Sequence, residues 1–305
     1  MSRLLPGWYI VLYHDVSWEE GPFVRHIGGT CSPDVFRDHV RACKEIGELV
    51  SIENGMARLG KNEISTPLIS FWFDDGLVGV RKYAAPILEE HGITGAISVC
   101  SRFLNREEMF WRFKMSYLQS IDAGRFLRSR LRRYGYSNSH SLRNFTIDKF
   151  GNDVLSVVNT LYDEAVSDEV QSDAFRIFET PQGLLELQAR GWTIANHSAA
   201  HYPIGEEHVM DIMMQQFEEC EKAIRCLTGM ASKYWVFPFD WNLESRAIRL
   251  VREHRDCPIP VLVRNRVNVT STVEAEGMLF RIDAPFTNRK RMIEVLFATA
   301  QGSSP

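Results

Sequence analysis

The sequence predicts an α/β fold built on parallel strands, and three observations predict it. Short runs of apolar, β-branched and aromatic residues, such as Trp8–Tyr13, Leu68–Phe73 and Thr94–Cys100, recur along the chain. Stretches with apolar residues at helical spacing lie between them, so strand and helix alternate as in a parallel sheet or barrel. Two of the runs end abruptly in residues able to do chemistry: Leu68–Phe73 in Asp74-Asp75-Gly76, and Trp192–Asn196 in His197-Ser198-Ala199-Ala200-His201.

The elements follow in order. Trp8–Tyr13 is a strand that delivers His14-Asp15 to its C-terminal end. Ser32-Pro33 starts a helix, with Val35, Phe36, Val40 and Ile46 at its apolar spacing. Leu49–Ile52 is expected to return as a strand and Glu53–Leu59 as a short helix. After Gly76, a helix over Val80–His91 turns Ala85, Ile87 and Leu88 inward and ends at Gly92, a residue suited to the left-handed C′ position. Thr94–Cys100 is the next strand.

From Asn105 to Glu179 no strand pattern appears. Helical stretches are expected at Phe110–Ile121, Gly124–Tyr134, Ile147–Ala165 and Asp168–Phe178, which makes 105–179 a helical insertion within a single domain over 1–305. Its Arg125–Arg133 stretch carries five arginines in nine residues. That is either a solvated helix face or a docking surface for phosphate, since guanidinium groups bind phosphate oxygens bidentately. Thr180-Pro181 opens a helix to Arg190, and Gly191 precedes the Trp192–Asn196 strand. Glu206–Leu227 is a long amphipathic helix with Ile212, Phe217, Ala223 and Ile224 as core positions. Tyr234–Trp241, Val261–Val263 and Met278–Ile282 supply the last strands, and Arg289–Ala300 a closing helix.

Length and composition set the remaining bounds. With 305 residues and 45% hydrophobic content the chain can bury one large core. A net charge of −4 provides no basic field for nucleic acid. The six cysteines are scattered without Cys-x-x-Cys spacing, so free thiols in a reducing compartment are expected. Pro6-Gly7 interrupts the first apolar run, and no run reaches the roughly 18 apolar residues of a membrane span. The expectation is a cytoplasmic enzyme with no stable membrane insertion.

Adjacent carboxylates such as Asp74 and Asp75 repel one another and persist only with a compensating cation, donor or shared proton. Two histidines four residues apart can grip one ion, and an acid from another strand completes a three-ligand site. Each half alone has a bland alternative, a surface turn for Asp-Asp-Gly and an incidental pair for the histidines. Both at strand ends form a far more specific pattern.

Phe73-Asp74-Asp75-Gly76 followed by His197-Ser-x-x-His201 resembles the first two motifs of the polysaccharide deacetylase family, carbohydrate esterase family 4. The resemblance runs from Tyr13-His14-Asp15-Val16 to Leu279-Phe280-Arg281-Ile282. It implies a distorted (β/α) barrel of about seven parallel strands and a metal-dependent removal of an N-acyl, chiefly N-acetyl, group from an amino sugar. It also implies that Asp74 is the general base, with Asp75, His197 and His201 holding one divalent ion; zinc is the ion expected. Tyr234–Trp241 resembles the third motif, in which Pro238, Phe239 and Trp241 would wall the substrate groove. Two departures stand out. Val236 occupies the place where many members carry an arginine that orients the catalytic acid, and Arg281 stands where many carry a proton-donating histidine.

Hydrolysis of an unactivated N-acyl group needs a strong nucleophile and a sink for the oxyanion, and a divalent metal supplies both. The departing amine must also be protonated. His14, a recycled proton on Asp74, or Asp283 could do this, and His14 is preferred; Arg281 holds its proton too tightly and reads instead as an orienting or substrate-contacting group. The expected substrate is an amino sugar made inside the cell, nucleotide- or lipid-linked in one version. The competing readings are a catalytically silent sugar-binding relative of the same fold, and hydrolysis of another C–N bond such as deformylation.

Overall fold

Strand β1 (Gly7–Tyr13) is buried along its whole length. A strand apolar on both faces needs cover on both, which a parallel barrel with helices outside provides. The computed structural model describes residues 4–136, 142, 151–203, 213–240, 245–254 and 258–302. β1 is followed by the short strands β2 (Asp15–Val16) and β3 (Thr30–Cys31), which pair with each other, and then by β4 (Glu48–Leu49). The remaining strands are β5 (Pro67–Phe73), β6 (Ala96–Val99), β7 (Thr193–Asn196), β8 (Tyr234–Val236), β9 (Ile259–Val263) and β10 (Leu279–Asp283). They form an eight-stranded sheet in the order β1-β10-β9-β8-β7-β6-β5-β4, and an additional β1–β5 pairing closes it. β4 touches only the start of β5, at Leu68 and Ile69, while β6 pairs with the end of β5 at Trp72 and Phe73. The closed ring therefore has seven parallel strands, with β4 wedged into one seam.

Alternation sorts the side chains. Trp8, Ile10, Leu12, Leu68, Trp72, Ala195, Tyr234, Val236, Val261 and Leu279 share one cluster inside the ring. Tyr9, Val11, Tyr13, Ile69, Phe71, Phe73, Ile97, Val99 and Ile282 pack outward with the surrounding helices. The helix Ile52–Gly60 closes the N-terminal mouth, laying Gly55 on the Trp8 indole so closely that a Cβ there would stand 2.3 Å from Trp8 Cε2. Both partners are large or rigid. Gly55→Ala is therefore expected to destabilise the fold by about 1–3 kcal/mol despite alanine's better helix propensity. Urea unfolding measures this directly.

Three expected elements differ. Leu49–Ile52 is not one strand: the strand stops at Leu49, and the Ser51 side chain caps a helix by accepting from Asn54 N at 3.2 Å. Val80–His91 is not one regular helix. Pro86 has no N–H to donate, and the turn before it is wound as a π-helix over Val80–Ala84, with Ala85 N donating to Val80 O. The described part of the expected 206–227 helix opens with a π-turn at Met213–Phe217 before Glu218–Thr228; Ile212 lies outside the described residues. Phe217 and Ile224 are buried as expected, and Ala223 is half-buried. The helices at Pro33–Ile46 and Pro181–Ala189 have the anticipated caps, Ser32 and Thr180.

The 105–179 segment is helical where described, at Trp111–Ser120, Gly124–Leu131, Asn152–Ala165 and Asp168–Ala174, with 3-10 turns at Arg132–Tyr134 and Phe175–Ile177. Its core, including Phe113, Leu118, Leu127, Val158 and Tyr162, is a separate cluster that also takes in Phe23, Val24 and Ile27 from the loop between β2 and β3. Its end is stitched to the Asp-Asp-Gly loop, as Val78 N donates to Ile177 O and Glu179 N to Gly76 O. Cys31, Cys43, Cys100, Cys220 and Cys226 are free thiols; Cys257 lies outside the described residues. No described helix is long and apolar enough to cross a membrane.

Candidate active site and metal centre

The interior-facing series of several strands ends in a polar residue. Trp8, Ile10 and Leu12 lead to His14; Leu68, Ser70 and Trp72 to Asp74; Ala195 to His197; Leu279 to Arg281. Because successive side chains alternate across a strand, these polar groups form the top layer of the barrel filling, above Trp72 and Tyr234. The layer opens into a cavity of about 290 Å³ that His14, Asp74, Asp75, His197, His201 and Arg281 all line.

Asp75, His197 and His201 converge, their ligand atoms within 4.8 Å of one another and all three residues buried. His201 Nε2 lies 3.2 Å and His197 Nε2 3.5 Å from Asp75 Oδ1. His197 Nδ1 faces the Val236 carbonyl at 2.9 Å. A proton on Nδ1, donated to that carbonyl, leaves the Nε2 lone pair free for a cation. Asp75 Oδ1 and His197 Nε2 are both buried without a hydrogen-bond partner among the described residues, an arrangement that a divalent cation would satisfy. The residues fit a metal.

The turns that aim these ligands are strained. Asp75, Ser198, His201 and Phe239 all have positive φ, from 49° to 70°, although none is glycine. Such outliers collect where the surroundings over-determine them. Here Ser198 N donates to Asn196 Oδ1 at 2.9 Å, Ala200 N to Gln216 Oε1 at 2.8 Å and His201 N to Ser198 Oγ at 3.0 Å. The two histidines thus sit on a hydrogen-bonded turn and not on a helix. The His201 ring is further held between Phe110 and Phe239, at 4.7 and 4.8 Å between centroids.

Asp74 is placed differently. Arg281, 1% exposed, donates from Nη1 to Asp74 Oδ1 at 2.6 Å, and Ser98 Oγ donates to the same oxygen. Oδ2 remains turned toward the metal ligands, 3.8 Å from His197 Nε2. Burial works against the Asp74 carboxylate, but Arg281, His197 and His14 outweigh it and hold the group below its ordinary range. Asp75 is held well below that range, with His201 and His197 overcoming its burial. Burial also opposes a charge on His197, yet Asp74, Asp75 and the Val236 carbonyl push its pKa up. The carboxylates that favour a proton there also favour a cation in its place. His201 is pushed down by burial, with Asp75 opposing and His197 and Arg112 adding to it.

Other expected residues are distributed unevenly. Phe239 lines the cavity; Pro238 is buried in the turn and is not part of the described wall; Trp241 lies outside the described residues. Arg281 lines the cavity, but its closest contact is Asp74. The arginines of 125–133 do not line the cavity among the described residues, whereas Arg112 and Phe113 of the same insertion do. The Arg112 guanidinium lies 5.1 Å over the Phe239 ring. Sequence reasoning missed Arg112 and Asp240, a buried carboxyl that lines the cavity and pairs with Arg264 at 3.1 Å. Asp240 lies within the third-motif stretch Tyr234–Trp241, between two residues assigned to the groove wall, whereas Arg112 stands at no motif position and only the expected helix Phe110–Ile121 marked its segment.

A closed parallel barrel of this architecture is shared with deacetylases of known structure. The Streptococcus pyogenes deacetylase PplD, solved with acetate, superposes with a TM-score of 0.62 at 12% identity, covering 95% of this chain and 99% of that one. IcaB from Ammonifex degensii gives 0.58 at 13%, covering 98% and 100%, and the de-N-acetylase from Aggregatibacter actinomycetemcomitans 0.57 at 13%, covering 95% and 99%. No curated protein matches in sequence. The sequence model for polysaccharide deacetylase, however, matches residues 61–249, more than half of the chain. The chain belongs to the polysaccharide deacetylase family, and its class is that of a carbohydrate deacetylase. Asp74, Asp75, His197 and His201 lie inside the matched region; His14 and Arg281 lie outside it.

Proposed function

We propose that the protein is a metal-dependent hydrolase that removes an N-acyl group, foremost an N-acetyl group, from an amino sugar. The observation that carries this reading is the convergence of buried Asp75, His197 and His201 beside a second carboxylate that has one oxygen pinned and the other turned toward them. A divalent ion held by these three residues, zinc in this reading, supplies when bound the Lewis acidity that acidifies water and polarises an acyl oxygen.

The side chains divide the proton work. Asp74 Oδ2 accepts the proton of the attacking water, and Arg281 and Ser98 on Oδ1 keep the carboxylate ionised and oriented. His14 then gives a proton to the sugar nitrogen as the C–N bond breaks, releasing the carboxylate and the amine. Its Nδ1 is buried without a hydrogen-bond partner among the described residues, and the ring lines the cavity. Arg281 fills the orienting task that Val236 leaves open, which supports an active enzyme over a silent sugar-binding relative. The free thiols Cys31, Cys43, Cys100, Cys220 and Cys226 support a cytoplasmic setting.

Metal analysis combined with acetate release from N-acetyl amino sugars, presented free, nucleotide-linked and lipid-linked, tests the reading. Bound metal without acetate from any of them would remove it. His14→Gln is expected to depress amide turnover by about two orders of magnitude or more and turnover of an activated ester far less, because a good leaving group needs little protonation. Equal losses on both substrates would assign His14 a positioning role instead.

A further inference from the structure

The loop Ser17–Gly29, between β2 and β3, has no regular secondary structure, yet it is anchored at several points. Ser116 Oγ donates to Pro22 O at 2.8 Å and accepts from His26 N at 3.1 Å. Ser120 Oγ donates to Pro22 O at 3.2 Å. Phe23 stacks on Tyr117 with centroids 4.5 Å apart and meets the edge of Tyr162 at 6.4 Å. Every one of these partners belongs to the 105–179 insertion. The loop follows β1 and the insertion follows β6, and β5 stands between those two strands in the ring. Where loop and insertion meet, they span the mouth of the strand that carries Asp74 and Asp75.

That span faces the site. Val24, Ile27, Gly28 and Gly29 of the loop line the cavity together with Arg112 and Phe113 of the insertion. Gly29 lies against His14, where an added Cβ would stand 3.5 Å from that residue's own Cβ. The cavity, open to solvent on one side and about 290 Å³ in volume, falls just below the roughly 300–1,000 Å³ usual for small-molecule sites. One pyranose with its N-acyl group fills such a space. An internal unit of a polymer needs an exit for the chain on both sides, and a wall along one side of the cavity would leave room for only one.

We propose that the Ser17–Gly29 loop, pinned by Ser116, Tyr117 and Ser120, is a fixed wall that restricts the site to a free or chain-terminal amino-sugar unit. The proposal rests on the deacetylase reading and names its substrate class. The probes are a methyl glycoside of N-acetylglucosamine and the β-1,4-linked pentamer, with products sequenced by mass spectrometry. The wild type is expected to deacetylate an end unit of the pentamer at least about tenfold faster than any internal unit, and to turn over the monomer with kcat/KM within about tenfold of the pentamer's. Tyr117→Ala and the double variant Ser116→Ala/Ser120→Ala should admit internal units and raise KM for the monomer, with metal content unchanged.

Internal deacetylation by the wild type at rates matching the end units would overturn the wall, as would an unaltered product pattern in well-folded variants. If the variants fail to fold, the wild-type pattern decides alone. If the metal-loaded enzyme releases acetate from neither probe nor from the nucleotide- and lipid-linked sugars, the deacetylase reading fails; whenever the two probes give no acetate, equilibrium binding to the wild type judges the wall. Affinity for the pentamer more than about tenfold above that for the monomer would overturn it, and comparable affinities would support it.

Discussion

His197→Ala and Asp75→Ala are each expected to abolish retention of a divalent ion and, with it, detectable deacetylation. The purified wild type should bind about one equivalent. The effect should be near total because the three ligand atoms sit in a buried pocket where Asp75 Oδ1 and His197 Nε2 have no hydrogen-bond partner among the described residues. Removing one ligand leaves two, fewer than the three or four protein ligands of a stable zinc site, and His197→Ala also leaves the buried Asp75 carboxylate with less compensation. Elemental analysis after gel filtration gives the answer before any substrate is needed. Stoichiometric metal retained in the His197→Ala/His201→Ala double variant would sink the assignment.

Asp74→Asn should lower turnover by about two to four orders of magnitude while leaving the metal in place. Asparagine keeps the shape of the side chain but cannot take a proton. Its amide can still offer one oxygen to Arg281 and Ser98, which in the wild type both reach Oδ1. Retention of the ion separates this outcome from that of the ligand variants. Loss of the ion from Asp74→Asn would mean that Asp74 is a metal ligand and that Asp75 is the base.

Much of the site was legible because its residues end interior-facing strand series that can be counted in twos. Trp8-x-Ile10-x-Leu12-x-His14 and Leu68-x-Ser70-x-Trp72-x-Asp74 are such series, and they announce both the strand and the face on which chemistry emerges. The seven-strand ring came from the family resemblance, since no local pattern states that the first and last strands meet. What stayed hidden depends on partners distant in sequence. The Asp74–Arg281 bond spans 207 positions. The left-handed turns at Asp75, Ser198, His201 and Phe239 are imposed by their surroundings, because no glycine marks them. The Ser17–Gly29 loop lacks any periodic signal, and its apolar residues Phe23, Val24 and Ile27 find their cover only in the insertion. Pro86 was the visible clue to the irregular helix after Gly76, although its position did not tell which turn would widen.

The Asp74–Arg281 bond also bears on the order in which the molecule becomes competent. Arg281 belongs to β10, the last strand of the ring, and β10 pairs with β1, the first. A folding chain can bring Asp75, His197 and His201 together as soon as β5 and β7 have docked through β6, so capture of the ion does not wait for the ring to close. The counter-ion for Asp74 does wait. Distant pairings form late because their loop-closure entropy must be overcome first. Metal uptake and catalytic turnover should therefore appear as two separate kinetic events during refolding, the second reporting the joining of β1 to β10.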